Sequence, residues 1–283
     1  MEKMDLKKNA SCILKDTYSI EKELSSGIGG AVFKAWHKRL RKNVVIKELN
    51  HSVFVNDESR RNETEALKNI KCAYLPQVID FIDGNDCSFT VMEFIDGDNF
   101  STLLARNGSF GQFQVIEWYY QLACALVELH ENDICHGDIK PANIILMPNG
   151  KVCLIDFNLA VVKGNDTHIV GRSRGYASPE QYKLFASYKN RSASAGRNVD
   201  WKLSDIHNLG ATMYHLLTGT RMMYDVKGRV LQTDFGKRQK VKNKMMRTLP
   251  CHFIIERSTH PNPNSRFSSA LALKRTIQNL ITV

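Results

Sequence analysis

Apolar and polar residues alternate over three short stretches near the N-terminus: YSIEKELSS at 18–26, GAVFKAWH at 30–37 and NVVIKEL at 43–49. A period of two, with β-branched and aromatic residues, is the mark of half-buried strands. The charged stretch NDESRRNETEALKNI at 56–70 switches period, and Glu63, Ala66, Leu67 and Ile70 fall at helical spacing. LPQVIDFI at 75–82 and CSFTVMEFI at 87–95 flank the turn residues DGND and predict a hairpin. Past about Gly97 helical spacing takes over. Residues 112–131 place Val115, Trp118, Tyr119, Leu122, Leu126 and Leu129 on one helical face. Residues 203–217 do the same with Ile206, Leu209, Met213, Leu216 and Leu217, and residues 268–281 with Leu271, Leu273, Ile277 and Leu280. The pattern predicts an α+β chain of two lobes, a small β-rich N-lobe at about 15–95 and a larger, mainly α-helical C-lobe at about 96–283. A ligand cleft between such lobes is the default expectation.

Composition narrows the class. The 283 residues are 43% apolar and 24% charged, the balance of an ordinary globular protein. The seven cysteines are scattered without a CxxC pair, which argues against a metal knuckle or a disulfide framework and for free thiols in a reducing compartment. No apolar run reaches the roughly 18–20 residues of a membrane span, and the charged start MEKMDLKKNASCILK lacks the apolar core of a secretion signal. A cytoplasmic protein is expected. The net charge of +10 concentrates in KAWHKRLRK at 34–42 and in the stretch from Lys227 to Arg247. No aromatic interleaving or nucleic-acid motif accompanies these clusters, so they read as solvated surface and no nucleic-acid partner is expected.

Candidate chemistry is distributed along the chain in a fixed order. SSGIGGAV at 25–32 is followed by VVIK at 44–47, Glu63, HGDIKPAN at 136–143, DFN at 156–158 and SPE at 178–180. In that order and spacing they resemble the protein kinase catalytic domain, most closely the bacterial serine/threonine kinases of eukaryotic type. The resemblance covers roughly residues 15–280 and implies one catalytic domain over 1–283 with a bilobal protein-kinase-like fold.

Gly27 and Gly30, between two strands, let backbone N–H groups approach phosphate oxygens without obstruction. The family's glycine pattern maps onto Ser25, Gly27, Gly30 and Val32, with serine in place of the first glycine. By resemblance, Lys47 touches the α- and β-phosphates of ATP and pairs with Glu63. Glu65 competes for that place; Glu63 is preferred because Leu67 and Ile70 follow it at the inward helical positions. Asp138 resembles the carboxylate that orients the substrate hydroxyl and accepts its proton, and Lys140 the cation that neutralises the transferring phosphate. Asn143 and Asp156 offer hard oxygen ligands for Mg²⁺ or Mn²⁺. The same mapping puts backbone groups of Glu93 and Ile95 on adenine, Met92 at the back of the pocket, and Val32, Val45 and Ile145 against the purine. Glu180 and Arg266 are implied as a scaffold ion pair, and Asp205 as the anchor of the catalytic loop's backbone. Lys140 followed by Pro141 resembles the serine/threonine form of that loop, so protein substrates with Ser or Thr acceptors are implied.

Three departures qualify the resemblance. Gly137 stands where the family usually has arginine, which removes the main contact for a phosphate on the activation loop. Activity independent of loop phosphorylation is therefore expected, although Thr167 and Ser173 are candidate phosphorylation sites and Ser173 matches the family's substrate-contacting threonine. Asn158 replaces a glycine at a position where left-handed dihedrals are expected. FASYKNRSASAGRNVDW at 185–201 is longer than compact bacterial kinases need and reads as an exposed loop. The alternatives are a nucleotide-binding pseudokinase scaffold, and a small-molecule kinase, which the SPE segment disfavours.

Overall fold

The structure, a computed structural model, describes residues 14–27, 30–50, 67–83, 87–162, 173–189, 199–222 and 250–282. The chain divides into two compact units: residues 1–71 with 76–95, and residues 72–75 with 96–283. A backbone hydrogen bond from Leu154 N to Tyr74 O (2.9 Å) ties the 72–75 segment into the larger unit.

The smaller unit is an antiparallel sheet of five strands in the order β1-β2-β3-β5-β4. These are β1 (Tyr18–Gly27), β2 (Gly30–His37), β3 (Lys42–Asn50), β4 (Val78–Ile82) and β5 (Cys87–Glu93). Every stretch expected to be a strand is one, although β4 begins at Val78, after Pro76, which has no N–H for a ladder. One face carries the core, in which Ala35, Val44, Ile46, Phe89 and Val91 pack with Leu14 and Tyr18. Because side chains alternate across a strand, the residues between these point to the opposite face. The basic turn 38–42 is exposed, as its composition implied, while Lys34 pairs with Glu21 at 3.0 Å. The second basic cluster, from Lys227 to Arg247, lies outside the described residues.

The larger unit contains α1 (Phe100–Asn107), α2 (Gln112–Glu131), α3 (Pro179–Lys189), α4 (Trp201–Thr218), α5 (Pro250–Ser258) and α6 (Ala270–Ile281). Short strands β6 (Asp98–Asn99), β8 (Ile144–Leu146) and β9 (Val152–Leu154) form one small sheet, and β7 (Ile134–Cys135) pairs with β10 (Val161–Val162). Helix α2 is the core: its predicted apolar face is buried throughout, and it packs on α4 and α6. The Tyr119 hydroxyl donates to Ser258 Oγ at 2.7 Å and joins α2 to α5. Helix α4 starts at the cap Asp200, whose carboxylate accepts from Leu203 N at 3.1 Å. In α6 the inward stripe is Ala270, Leu273 and Ile277, whereas Leu271 and Leu280 are exposed. Leu271 lies off the line that i, i+3 and i+7 define, whereas Leu280, three residues after Ile277, continues it into the last turn of the helix. The expected loop at 185–201 begins as the last residues of α3, Phe185–Lys189, and ends at Trp201, the first residue of α4. The helical turn opened by Pro179 and Glu180 carries the chain further than its Ser and Asn content suggested.

An ion pair joins α3 to the segment before α6. Arg266 donates to Glu180 Oε1 at 2.6 Å and to Oε2 at 2.9 Å, and its remaining N–H groups reach the carbonyls of Leu203 and His260. Burial pushes the Glu180 carboxyl up, but the Arg266 hydrogen bonds and charge outweigh it and hold the group below the usual carboxylate range. Breaking such a pair from one side leaves a buried charge uncompensated. Arg266→Met should therefore lower unfolding stability by about 3–5 kcal/mol, read from urea denaturation; an unchanged midpoint would contradict this.

Two histidines of α4 titrate far below normal. Burial, then the Arg266 charge, pulls His207 down to about 3; burial, then Arg221, pulls His215 down to about 4. Unfolded histidine binds its proton near pH ~6.5. Below that value the unfolded chain takes up protons that the folded one does not, so stability is lost as pH falls and is fully present above it. Urea midpoints should decline steadily from pH ~6.5 towards pH ~4; a flat profile across that range would refute the assignment.

Candidate active site

The larger unit holds the HGDIKPAN segment between β7 and β8. Its backbone is fixed by Asp205 of α4, a fully buried carboxylate that accepts from His136 N and Gly137 N at 2.8 Å each. His130 of α2 reaches the same Asp205 oxygen as His136 N, at 3.0 Å. His130, Cys135 and Asp205 place ligand-type atoms within 4.8 Å of one another. This cluster is scaffold: the Asp205 oxygens are committed to backbone donors, and burial pushes the Cys135 thiol far up, away from the thiolate a metal needs.

The His136 ring is buried against Phe157, with centroids 5.0 Å apart. Its Nε2 lies 3.1 Å from Ile155 O and its Nδ1 accepts from Asp138 N at 3.3 Å, a pairing that calls for the neutral tautomer protonated on Nε2. Gly137 has φ +75°, and a Cβ there would stand 2.4 Å from the Leu159 carbonyl oxygen. Its own carbonyl accepts from Gln181 Nε2 at 2.8 Å. Gln181 Oε1 in turn accepts from Ser178 N at 2.8 Å and from Asn208 Nδ2 at 2.9 Å.

This turn gathers Asp138, Lys140 and Asn143. Lys140 Nζ donates to Asp138 Oδ2 at 2.6 Å and to Ser173 Oγ at 3.2 Å. The Ser173 hydroxyl donates to Asp138 Oδ1 at 2.6 Å. Asn143 Nδ2 donates to Asp138 O at 2.9 Å, which turns the amide so that Oδ1 is the group left for a cation. Ile155 N donates to Asn143 O at 2.8 Å, so the β8–β9 hairpin brings Asn143 and Asp156 to the same end. An amide oxygen and a carboxylate fit Mg²⁺, which prefers hard oxygen donors.

Asp156 sits at φ +68°, a left-handed conformation that aspartate tolerates. Its Oδ1 accepts from Asn158 N at 3.4 Å. The strained residue of this segment is therefore Asp156, and Asn158 has no left-handed φ that would require a glycine. Ile145 is half-buried on β8.

In the smaller unit, strand register gathers the other predicted residues. Val32 lies opposite Lys47, Lys47 opposite Thr90, and Val45 opposite Met92. Directly opposed residues share a face, so Val32, Val45, Lys47 and Met92 line the side of the sheet away from the apolar core. Ser25 pairs with Val32, and Gly27 with Gly30 at φ +133°, where the β1–β2 hairpin ends. Glu93, the last residue of β5, pairs with Val44 across the sheet, and its N–H donates to Gln77 O at 2.9 Å. Ile95 is half-buried just beyond β5. Glu63, its competitor Glu65, and Thr167 lie outside the described residues.

Sequence reading passed over Gln181, Asn208 and His130, because polar residues on a helix look like surface until the fold buries them. The one signal was their position inside otherwise apolar helical faces.

The chain matches the family described as protein kinase domain over residues 18–277. It is 30% identical over 222 residues to a probable serine/threonine-protein kinase of Clostridium acetobutylicum, covering 75% of this chain and 31% of that one. Serine/threonine-protein kinase PknA of Corynebacterium glutamicum is 31% identical over 64% of this chain and 38% of its own. Human serine/threonine-protein kinase Nek5 is 30% identical over 72% of this chain and 28% of its own. The chain thus spans about a third of the length of these relatives. Among solved structures, that of Rad53 1–466 in complex with AMP-PNP superposes with a TM-score of 0.69 at 20% identity, covering 93% of this chain and 65% of that one. A helical unit and a five-stranded antiparallel sheet, each carrying its share of the motif residues, accord with these matches: the chain belongs to the protein kinase domain family and has its α+β fold.

Proposed function

We propose that this chain is an ATP-dependent protein serine/threonine kinase whose catalytic domain, over 1–283 with lobes at about 15–95 and 96–283, works without phosphate on its activation loop. The observation that carries the reading is the contact of a hydroxyl, that of Ser173, with both Asp138 and Lys140. An acceptor serine or threonine brought to the same carboxylate would donate to it in the same way. Asp138 takes up the hydroxyl proton as the oxygen bonds to the γ-phosphorus and the bond to ADP breaks. Lys140 holds positive charge beside the transferring group, and in the smaller unit Lys47, with Glu63 as its partner, would engage the α- and β-phosphates. Asn143 and Asp156 would hold Mg²⁺, which supplies charge against the phosphate oxygens when bound. Ser25, Gly27 and Gly30 would cover the phosphates, and Val32, Val45, Met92, Glu93, Ile95 and Ile145 would receive the adenine. The relatives' names support the Ser/Thr assignment, and AMP-PNP in the Rad53 complex supports ATP.

Independence from loop phosphate rests on Gly137. It offers no guanidinium for a phosphate to neutralise, and its backbone is held by Asp205 and by the Gln181 amide instead. No helix among the described residues is long and apolar enough to cross a membrane; we place the domain in the cytoplasm.

Purified protein with labelled ATP and Mg²⁺ should label a protein substrate, and Asp138→Asn should cut the rate by about 10²–10⁴-fold while nucleotide still binds. Phosphatase-treated enzyme should keep its rate. Nucleotide binding without transfer by the wild type would favour the pseudokinase, and loss of rate on dephosphorylation would overturn the switch-free reading. Gly137→Ala should lose about 1–2 kcal/mol from its left-handed backbone alone, with a further penalty from the Leu159 carbonyl, seen as lower stability and slower transfer. Wild-type behaviour of this variant would show that the position does not need glycine.

A further inference from the structure

Ser173 begins a turn, closed by Tyr176 N to Ser173 O at 3.1 Å, that runs past Arg174 and Gly175. Because Ser173 touches Asp138, a polypeptide presenting its hydroxyl to that carboxylate must lie along this turn. The ends of such a turn are within about 7 Å of each other, a span of two or three extended residues. The first residues of the acceptor's neighbourhood therefore meet whatever side chains the turn carries.

Those side chains are basic, and Arg221 is held in place. Arg221, just after α4, lies against the turn: a Cβ on Gly175 would stand 3.1 Å from Arg221 Cβ and 3.0 Å from Met222 O. Gly175 has φ +86°, so the close approach depends on glycine there. The Arg221 guanidinium carbon lies 5.8 Å from the Tyr176 ring centroid. That ring is buried, and its hydroxyl is 2.8 Å from His215 Nδ1. Burial and the Arg221 charge keep His215 neutral at physiological pH, so it adds no charge of its own. Arg174 and Arg221 are both exposed, and among the described residues neither pairs with a carboxylate. A surface guanidinium held by stacking, and without a counter-ion among the described residues, is preorganised for an anion from outside the chain.

We propose that Arg221, assisted by Arg174, selects acceptor segments with aspartate or glutamate within a few residues of the phosphorylated hydroxyl. The proposal rests on the kinase reading above and adds a substrate class to it. The chain's net charge of +10 favours the encounter with acidic segments in the same direction.

The test uses a panel of serine peptides that share a core and differ only in acidic, neutral or basic flanks, with kcat/KM measured for the wild type, Arg221→Glu and Arg174→Glu. The wild type should prefer acidic over neutral flanks by about 5- to 10-fold, the range of one or two partly exposed charge-assisted contacts. The preference should sit mainly in KM and shrink as salt is raised. Arg221→Glu should reverse it toward basic flanks, and Arg174→Glu should weaken it. Each enzyme's neutral peptide is the internal reference, so a loss of general activity cannot mimic the effect. Equal use of all flanks by the wild type, or an acidic preference that survives both charge reversals, overturns the proposal while leaving the kinase reading intact. Failure to phosphorylate any peptide or protein would overturn both.

Discussion

One buried carboxylate organises the larger unit. Asp205 takes the amides of His136 and Gly137 from one direction and the ring of His130 from another. A charge taken out of water is costly unless donors surround it, so this aspartate tolerates only a backbone that arrives with its N–H groups aimed inward. The left-handed turn at Gly137 supplies one of those donors. From there the chain can only place Asp138 at the mouth of the turn and Lys140 and Asn143 around it.

A second polar system secures the segment that faces this turn. Gln181 and Asn208 form a chain of neutral amide contacts from α4 through α3 to the Gly137 carbonyl. Glu180, next in sequence to Gln181, is held by Arg266. Neighbouring residues of one helix turn thus tie it both to the HGDIKPAN turn and to the C-terminal segment. Neutral amides in a buried site need no phosphate and no counter-ion, and the tie is intact in the unmodified chain. The same framework holds Ser173–Tyr176 in position beside Asp138 and presents Arg221 at its edge.

Much of this was legible in the residues. The strands of the smaller unit, and helices α2 and α4, follow from period and length, because burying one face imposes a repeat that the sequence must carry. The motif residues were legible for a different reason: they stand in the order and spacing of the protein kinase domain family, to which the chain belongs. What escaped was of two kinds. Leu271 and Leu280 are apolar yet exposed: Leu271 stands off the stripe of Ala270, Leu273 and Ile277, and Leu280 continues that stripe into the last turn of the helix. The left-handed residue near the DFN segment is Asp156, since φ depends on the path between the β8–β9 hairpin and β10 and is indifferent to which residue looks most tolerant.

The sequence by itself determined the family, the five strands of the smaller unit and the helices α2, α4 and α6. Each of these is a local property, set by periodicity or by spacing over a few residues. The resemblance implied that Glu180 pairs with Arg266 and that Asp205 anchors the backbone of the HGDIKPAN turn; only the tertiary structure decided which atoms meet and which further polar groups join them. Asp205 and Gly137 are separated by 68 residues, Glu180 and Arg266 by 86, and Gln181 and the Gly137 carbonyl, which no motif paired, by 44. The stacking of Arg221 on Tyr176 joins the end of one helix to a turn well before it. Contacts at such separations leave no period in the chain; they exist because the packed helices leave one place for each charge, and the donors are there.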